Sequence, residues 1–200
     1  MDEFTAKGDT MVAALDVSAY IYSRLGWIDS WRLQKLTYYA QSWHLAWDGR
    51  PLFPDAIQAW PDGPVIPEVF RENKYGRDNP YSTTLPGANP SALPPEAVRM
   101  VDAVLAYYGE FSKDELIALT HDESPWQHAR QDLPPGAHSA NEITTSSMRN
   151  CYTKKSLRGE DGPVRPNLAP PPTVSGENYA QAAQYQIGRW KDTLDWLAER

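Results

Sequence analysis

Between Asp29 and Gly49 the sequence has no proline and no glycine, and Leu33, Leu36, Ala40, Trp43 and Trp47 recur at steps of three and four. In an α-helix such steps fall on one face, so this segment is a helix with an apolar stripe. Asp29 or Ser30 can cap its start, because a short polar side chain accepts from the orphan N–H groups of the first turn. Asp48-Gly49 ends it. Tyr39 widens the stripe, while Gln34, Tyr38, Gln41 and Ser42 lie away from it. A chain built on such a helix must cover its stripe with other elements, and helices packing on a helix do this most simply.

The flanking segments read as further helices. Asp16 can cap a helix through Leu25, with Val17, Tyr20, Ile21 and Leu25 on one side and Gly26 as its stop; a start near Thr10 is also open. Pro94 or Pro95 opens another that runs to Tyr108, with Val98, Val101, Leu105 and Tyr108 inward. Ser112 and Glu115 form a capping box for a helix to about Thr120. Ser124-Pro125 starts a short helix carrying Trp126 and Ala129, and Thr144 caps one through about Lys155.

Prolines 51, 54, 61, 64 and 67 forbid a long helix between Arg50 and Pro67. Within that stretch, residues 56–60 read as extended, Pro61-Asp62-Gly63-Pro64 as a turn, and Pro67 as the first position of a short helix to about Arg71. The fold expected is therefore all-α: a compact multi-helix domain with at most one short strand pair near Ile57 and Trp60. Domain organisation is expected as a domain over residues 1–155, a Pro/Gly-rich linker over 156–176 and an amphipathic helix over 177–200. That last helix carries Tyr179, Ala183, Ile187, Trp190, Leu194 and Leu197 as a stripe.

Composition narrows the functional classes. Eight Trp and eleven Tyr supply enough ring surface for a core. A net charge of −7 argues against a broad nucleic-acid surface, since phosphate contacts need Lys and Arg. The single Cys151 excludes an intramolecular disulfide and fits a reducing compartment; it falls at helical spacing with Met148 and Tyr152, as a packed thiol would. No apolar run is long enough to span a bilayer and no signal-peptide core opens the chain, so a cytoplasmic protein without a membrane partner is expected.

Three segments in order resemble one family. The first is Leu33-Gln34-Lys35-Leu36 with Tyr38-Tyr39-Ala40-Gln41 and Trp43-His44-Leu45. The second is Pro51-Leu52-Phe53, then Ala59-Trp60 and Gly63-Pro64-Val65. The third is Leu116, Thr120-His121, Glu123, Pro125-Trp126 and Ala129-Arg130. Together they are similar to the Panacea (SocA/GepA-like) family, with the helix containing Ile143 and Tyr152 agreeing in position. Arg32 stands where that family usually has Lys, and Pro61-Asp62 where an aromatic is common before the Gly. The resemblance covers about residues 16–152. It implies a helical antitoxin, with no enzymatic activity and no cofactor, that neutralises a cognate protein toxin of a toxin–antitoxin system by direct binding. One branch of the family also delivers its toxin to the ClpXP protease, so a proteolytic adapter is the first alternative. The family also occurs in prophages.

Gln34, Lys35, Tyr38 and Gln41 form the candidate partner-binding face of the first-named helix; the same residues read equally as a solvated face. Trp60, on its rigid turn, and Trp190, on the last helix, complete the partner-binding candidates. The last helix is expected to dock on the domain when the protein is alone and to add to the toxin interface when the partner is present. His121, Glu123 and His128 raise a second alternative, a metal-assisted enzyme. Their spacing is not that of a helical zinc motif, and Pro125 interrupts any helix that would align the two His, so the cluster is expected to serve loops and caps and no metal is assigned. Trp126 is expected to anchor the loop beneath His121. No phosphate-binding glycine loop and no local nucleophile motif appears.

Overall fold

A computed structural model describes residues 12–134 and 136–167. Helix α2, Ser30–Asp48, is the centre of the architecture. The Asp29 carboxylate caps it by accepting from the N–H groups of Trp31 and Arg32, and Gly49 ends it in the left-handed region at φ 84°. Leu33, Leu36, Tyr39, Ala40, Trp43 and Trp47 are all buried, as the stripe requires.

Burial on α2 does not stop at the stripe. Helix α1, Ala14–Leu25, packs on it, as do α4, Pro95–Tyr108, α5, Lys113–His121, and α7, Thr145–Arg158. A hairpin of β1, Gln58–Trp60, and β2, Gly63–Val65, followed by α3, Pro67–Arg71, closes another side. The helix is thus enclosed around most of its circumference, and its polar residues go inward with the rest. Gln34, Lys35, Tyr38, Gln41 and Ser42 are each at most 2 % exposed. The expected solvated face on this helix is corrected: amphipathic spacing predicts one covered face, but neighbours on several sides bury Gln34, Lys35, Tyr38 and Gln41 alike.

The two buried glutamines are satisfied by backbone. Gln41 Oε1 accepts from the Leu52 N–H at 2.7 Å and the Phe53 N–H at 3.3 Å, and its Nε2 donates to the Phe53 carbonyl at 2.9 Å. Gln34 repeats the device two turns earlier, accepting from the Ile66 N–H at 2.8 Å and donating to the Ile66 carbonyl at 3.3 Å. Each glutamine stands in for a strand neighbour, supplying the donor and acceptor that an irregular segment lacks when buried. The two proline-broken segments are thereby fastened to the central helix.

An aromatic cluster fills the other side of α2. Tyr39 stacks on Tyr108 of α4 at 4.0 Å and 9°, and Trp43 meets Tyr152 of α7 edge-on at 5.3 Å. Tyr38 packs edge-on against the same Tyr152. The two edge-on contacts set the positive ring edge against the negative ring face, and all three pairs add to the gain from burial.

The hairpin pairs Gln58 with Val65 and Trp60 with Gly63, antiparallel, as the expected turn at Pro61-Asp62 permits. Residues 141–143 extend along its open edge: Ala59 N–H donates to the Asn141 carbonyl and Ile143 N–H to the Ile57 carbonyl. Ile143 therefore precedes α7 rather than lying in it, because its backbone is held by this ladder. Helix α1 begins at Ala14, two residues before the expected Asp16 cap; Asp16 sits in the first turn and accepts from the Ala13 N–H at 3.0 Å. Helix α6, Ser124–Arg130, starts at Ser124-Pro125 as read.

Helix α7 reaches Arg158, and the chain then lies against α2. Gly162 abuts the Trp43 ring so closely that a Cβ there would stand 2.8 Å from it, Pro163 is buried, and Arg165 donates to the Trp47 carbonyl at 2.7 Å. The first part of the expected linker is thus packed. The helix expected over 177–200, with Trp190, lies outside the described residues. No helix among the described residues is long and apolar enough to cross a membrane.

Candidate functional site

A cleft of about 620 Å³ opens where the start of α2, the hairpin and α3 meet. This volume lies within the range of ordinary ligand and anchor-residue sites. Gln34 and Lys35 lie at its base, and Trp60 lines its wall, partly exposed, with Phe70 of α3 packed edge-on against it at 4.9 Å. Three of the sequence candidates thus converge on one cavity. Tyr38 and Gln41 do not reach it; they belong to the core, for the reason given above.

The hairpin turn is held open over this base by Gly63. Its φ of +100° is one that L side chains rarely adopt, and a Cβ there would lie 2.7 Å from Lys35 Cε and 2.8 Å from Thr120 Oγ1. Lys35 runs beneath the glycine and donates to the Pro64 carbonyl at 3.3 Å. Burial disfavours its charged form and pulls its pKa down to about 7, against the opposing pull of Asp62 and Asp29. Asp62 itself is engaged by the Trp31 indole N–H at 3.3 Å.

The far wall comes from the irregular turn, Glu72–Gly76, that continues α3. Asn73 is 1 % exposed and lines the cleft. Its Oδ1 accepts from the Tyr22 hydroxyl at 2.8 Å, and its Nδ2 has no partner among the described residues. Arg77 donates to the Asn73 and Ser82 carbonyls, and the Lys74 ammonium lies over the rings of Phe70 and Tyr75.

The rim exposes large rings. Trp27, Trp31, Tyr75 and Tyr81 are between 45 % and 72 % exposed. They form separate stretches: Trp27 meets Tyr81 at 5.2 Å and donates to the Pro80 carbonyl, while Trp31 meets Asp62 and carries the Lys113 ammonium over its face. Isolated exposed apolar residues are normal; here Trp31 lines the cleft itself, while Trp27 and Tyr81 adjoin it at Pro80 and Tyr75 follows Lys74 in sequence. Sequence reasoning missed Trp27, Trp31, Asn73 and Tyr81. The signal available for Trp31 was its place off the stripe of α2; Asn73 and Tyr81 sit in irregular chain and gave none.

His121, Glu123 and His128 are not brought together as a metal-holding group, and none of three or more such residues occurs among the described residues. The His121 ring stacks on Trp126 at 4.0 Å, and burial, then the nearby Lys35, pulls its pKa down. Glu123, 4 % exposed, turns to α7, where Tyr152 donates to it and Lys155 pairs with it at 2.6 Å. Trp126 anchors the α5–α6 loop by donating to the Trp60 carbonyl at 2.9 Å. Arg130, 4 % exposed, ties the same region together through the carbonyls of Ala59, Pro134 and Ala137. Cys151 is half-buried beside a polar groove between α6 and α7, and burial pushes its thiol pKa up, away from the reactive thiolate.

Residues 33–127 match the family model described as antitoxin SocA-like, Panacea domain. The match takes in most of α2, the hairpin, α3, α4, α5 and the start of α6, and with them Gln34, Lys35, Trp60 and Asn73 of the cleft. No curated protein and no solved structure matches the chain.

Proposed function

We propose that this chain, which carries a SocA-like Panacea domain over residues 33–127, is the antitoxin of a toxin–antitoxin pair and neutralises its toxin by binding it directly. It acts as a binding protein, without chemistry of its own. The contact surface is the cleft between α2, the hairpin and α3, together with its rim. The observation that carries this reading is the exposed Trp31 on a concave site, with exposed Trp27 and Tyr81 beside its Pro80 edge. Protein interfaces concentrate their energy in aromatic residues that fill or flank pockets, and such rings are depleted from surfaces that meet only water.

The test is co-expression with the product of the adjacent reading frame. The wild-type chain restores growth and co-purifies with that product. Trp31→Ala leaves the melting temperature within a degree or two, because the ring is 45 % exposed, yet weakens the complex roughly thirtyfold, the loss of about 2 kcal/mol typical of a hot-spot ring. An adjacent product that is neither toxic nor bound refutes the antitoxin reading. Undiminished binding by Trp31→Ala and Tyr81→Ala together refutes the surface.

A further inference from the structure

The chemistry at the base of the cleft specifies what a partner must insert. Rings make up much of the wall, yet the base presents donors: the Lys35 ammonium, with one N–H given to the Pro64 carbonyl, and the Asn73 amide, with Nδ2 unpartnered. Lys35, Lys74 and Arg77 all line the cleft, and among the described residues none of them forms an ion pair. Asp62 and Asp78 line it too, but the Asp62 carboxylate is held by the Trp31 indole rather than by Lys35. A buried ammonium with one backbone acceptor and a buried amide N–H with none are each costly, and an acceptor group seated in the cleft that both residues line relieves both. A carboxylate does so: it carries the opposite charge and several acceptor sites, and charge-assisted bonds are the strong ones.

The rim indicates how that carboxylate arrives. Aromatic rings flank the cleft at separate stretches, Trp27 with Tyr81 on the loop near Pro80 and Trp31 beside the hairpin and Lys113. A chain that continues on both sides of its anchor uses both stretches, whereas a chain end leaves one of them unused. We propose that Lys35 and Asn73 receive the side-chain carboxylate of an internal acidic residue, flanked by apolar or aromatic residues, in an extended segment of the protein partner. This rests on the reading of the cleft as the contact surface.

Synthetic peptides test it without the toxin. The probe is acetyl-Ala-Trp-Glu-Leu-Ala-amide; the comparisons are its glutamine counterpart and a glutamine peptide ending in a free carboxylate. Binding is followed at pH 6, where Lys35 is protonated, by the indole N–H resonances of the intact chain. The glutamate peptide should bind about tenfold more tightly than either comparison, shifting the Trp31 and Trp60 resonances. In Lys35→Met the glutamate and glutamine peptides should bind alike. The proposal is overturned by equal binding of the glutamate and glutamine peptides to the wild-type chain, by tighter binding of the free-carboxylate peptide, or by a glutamate preference that survives in Lys35→Met. The wild-type comparison needs no folded variant. Toxin neutralisation that depends on Trp31, with the peptides bound alike, would leave the antitoxin reading standing and remove this one alone.

Discussion

Replacing Gln41 by Met discriminates sharply between a surface face and a core clamp. The two side chains are similar in length, so little cavity results. What is lost is the acceptor for the Leu52 N–H and the donor to the Phe53 carbonyl, bonds of 2.7 and 2.9 Å in a place where Leu52 is 6 % and Phe53 1 % exposed. Each buried group left without a partner costs about 1–3 kcal/mol, so the two together cost roughly 2–6 kcal/mol. The third bond, at 3.3 Å, is long and adds little. A loss near 3 kcal/mol corresponds to about 6–12 °C in melting temperature for a chain of this size. Had Gln41 been solvated, the same change would stay within about 0.5 kcal/mol. Thermal melts and urea titrations of Gln41→Met beside Trp31→Ala measure the contrast. A Gln41→Met protein that melts within 2 °C of wild type would refute the clamp, and with it the account of how residues 51–53 are held.

Other outcomes follow from the same geometry. Lys35 has its pKa lowered to about 7, so from about pH 7 to its ordinary value near 10.5 the unfolded chain binds more protons than the folded one, and stability rises with pH through that window. Its destabilising contribution is fully present below pH 7. Lys35→Met should therefore gain most over wild type at pH 6 and progressively less toward pH 9; a gap that does not change with pH, read from denaturant curves, contradicts the buried ammonium. Gly63→Ala forces a Cβ against Lys35 and Thr120 at a positive φ and should cost more than about 1 kcal/mol, whereas Gly87→Ala, also at positive φ but with open space around it, should cost less; equal melts for the two would show that the close approach is not felt. A chain ended after Lys155 loses the Gly162 packing on Trp43, the burial of Pro163 and the Arg165 bond to Trp47, and should melt several degrees below a chain ended after Asn167. Coincident melts would mean that the docked stretch contributes nothing.

Most element boundaries are written in local chemistry. The Asp29 cap and Gly49 stop of α2, the Ser112–Glu115 capping box, Pro67 and Pro95 as first helical residues and the turn at Pro61-Asp62 are interactions within a few residues of chain, and each is where local chemistry puts it. The three family segments were likewise legible in the sequence, because they are contiguous. Which polar residues are inside depends on packing between elements and is not legible along the chain. Gln34, Lys35, Tyr38 and Gln41 look like an outer face on α2 because periodicity registers one covered side, while their burial comes from the hairpin, the Leu52–Phe53 segment and α7, all distant in sequence. The same holds for the site. Glu123 sits two residues from His121, yet its partners are Tyr152 and Lys155, about thirty positions away. The cleft joins Lys35 to Asn73 across residues that share no pattern, since a concave surface is made by elements meeting and no one element carries it.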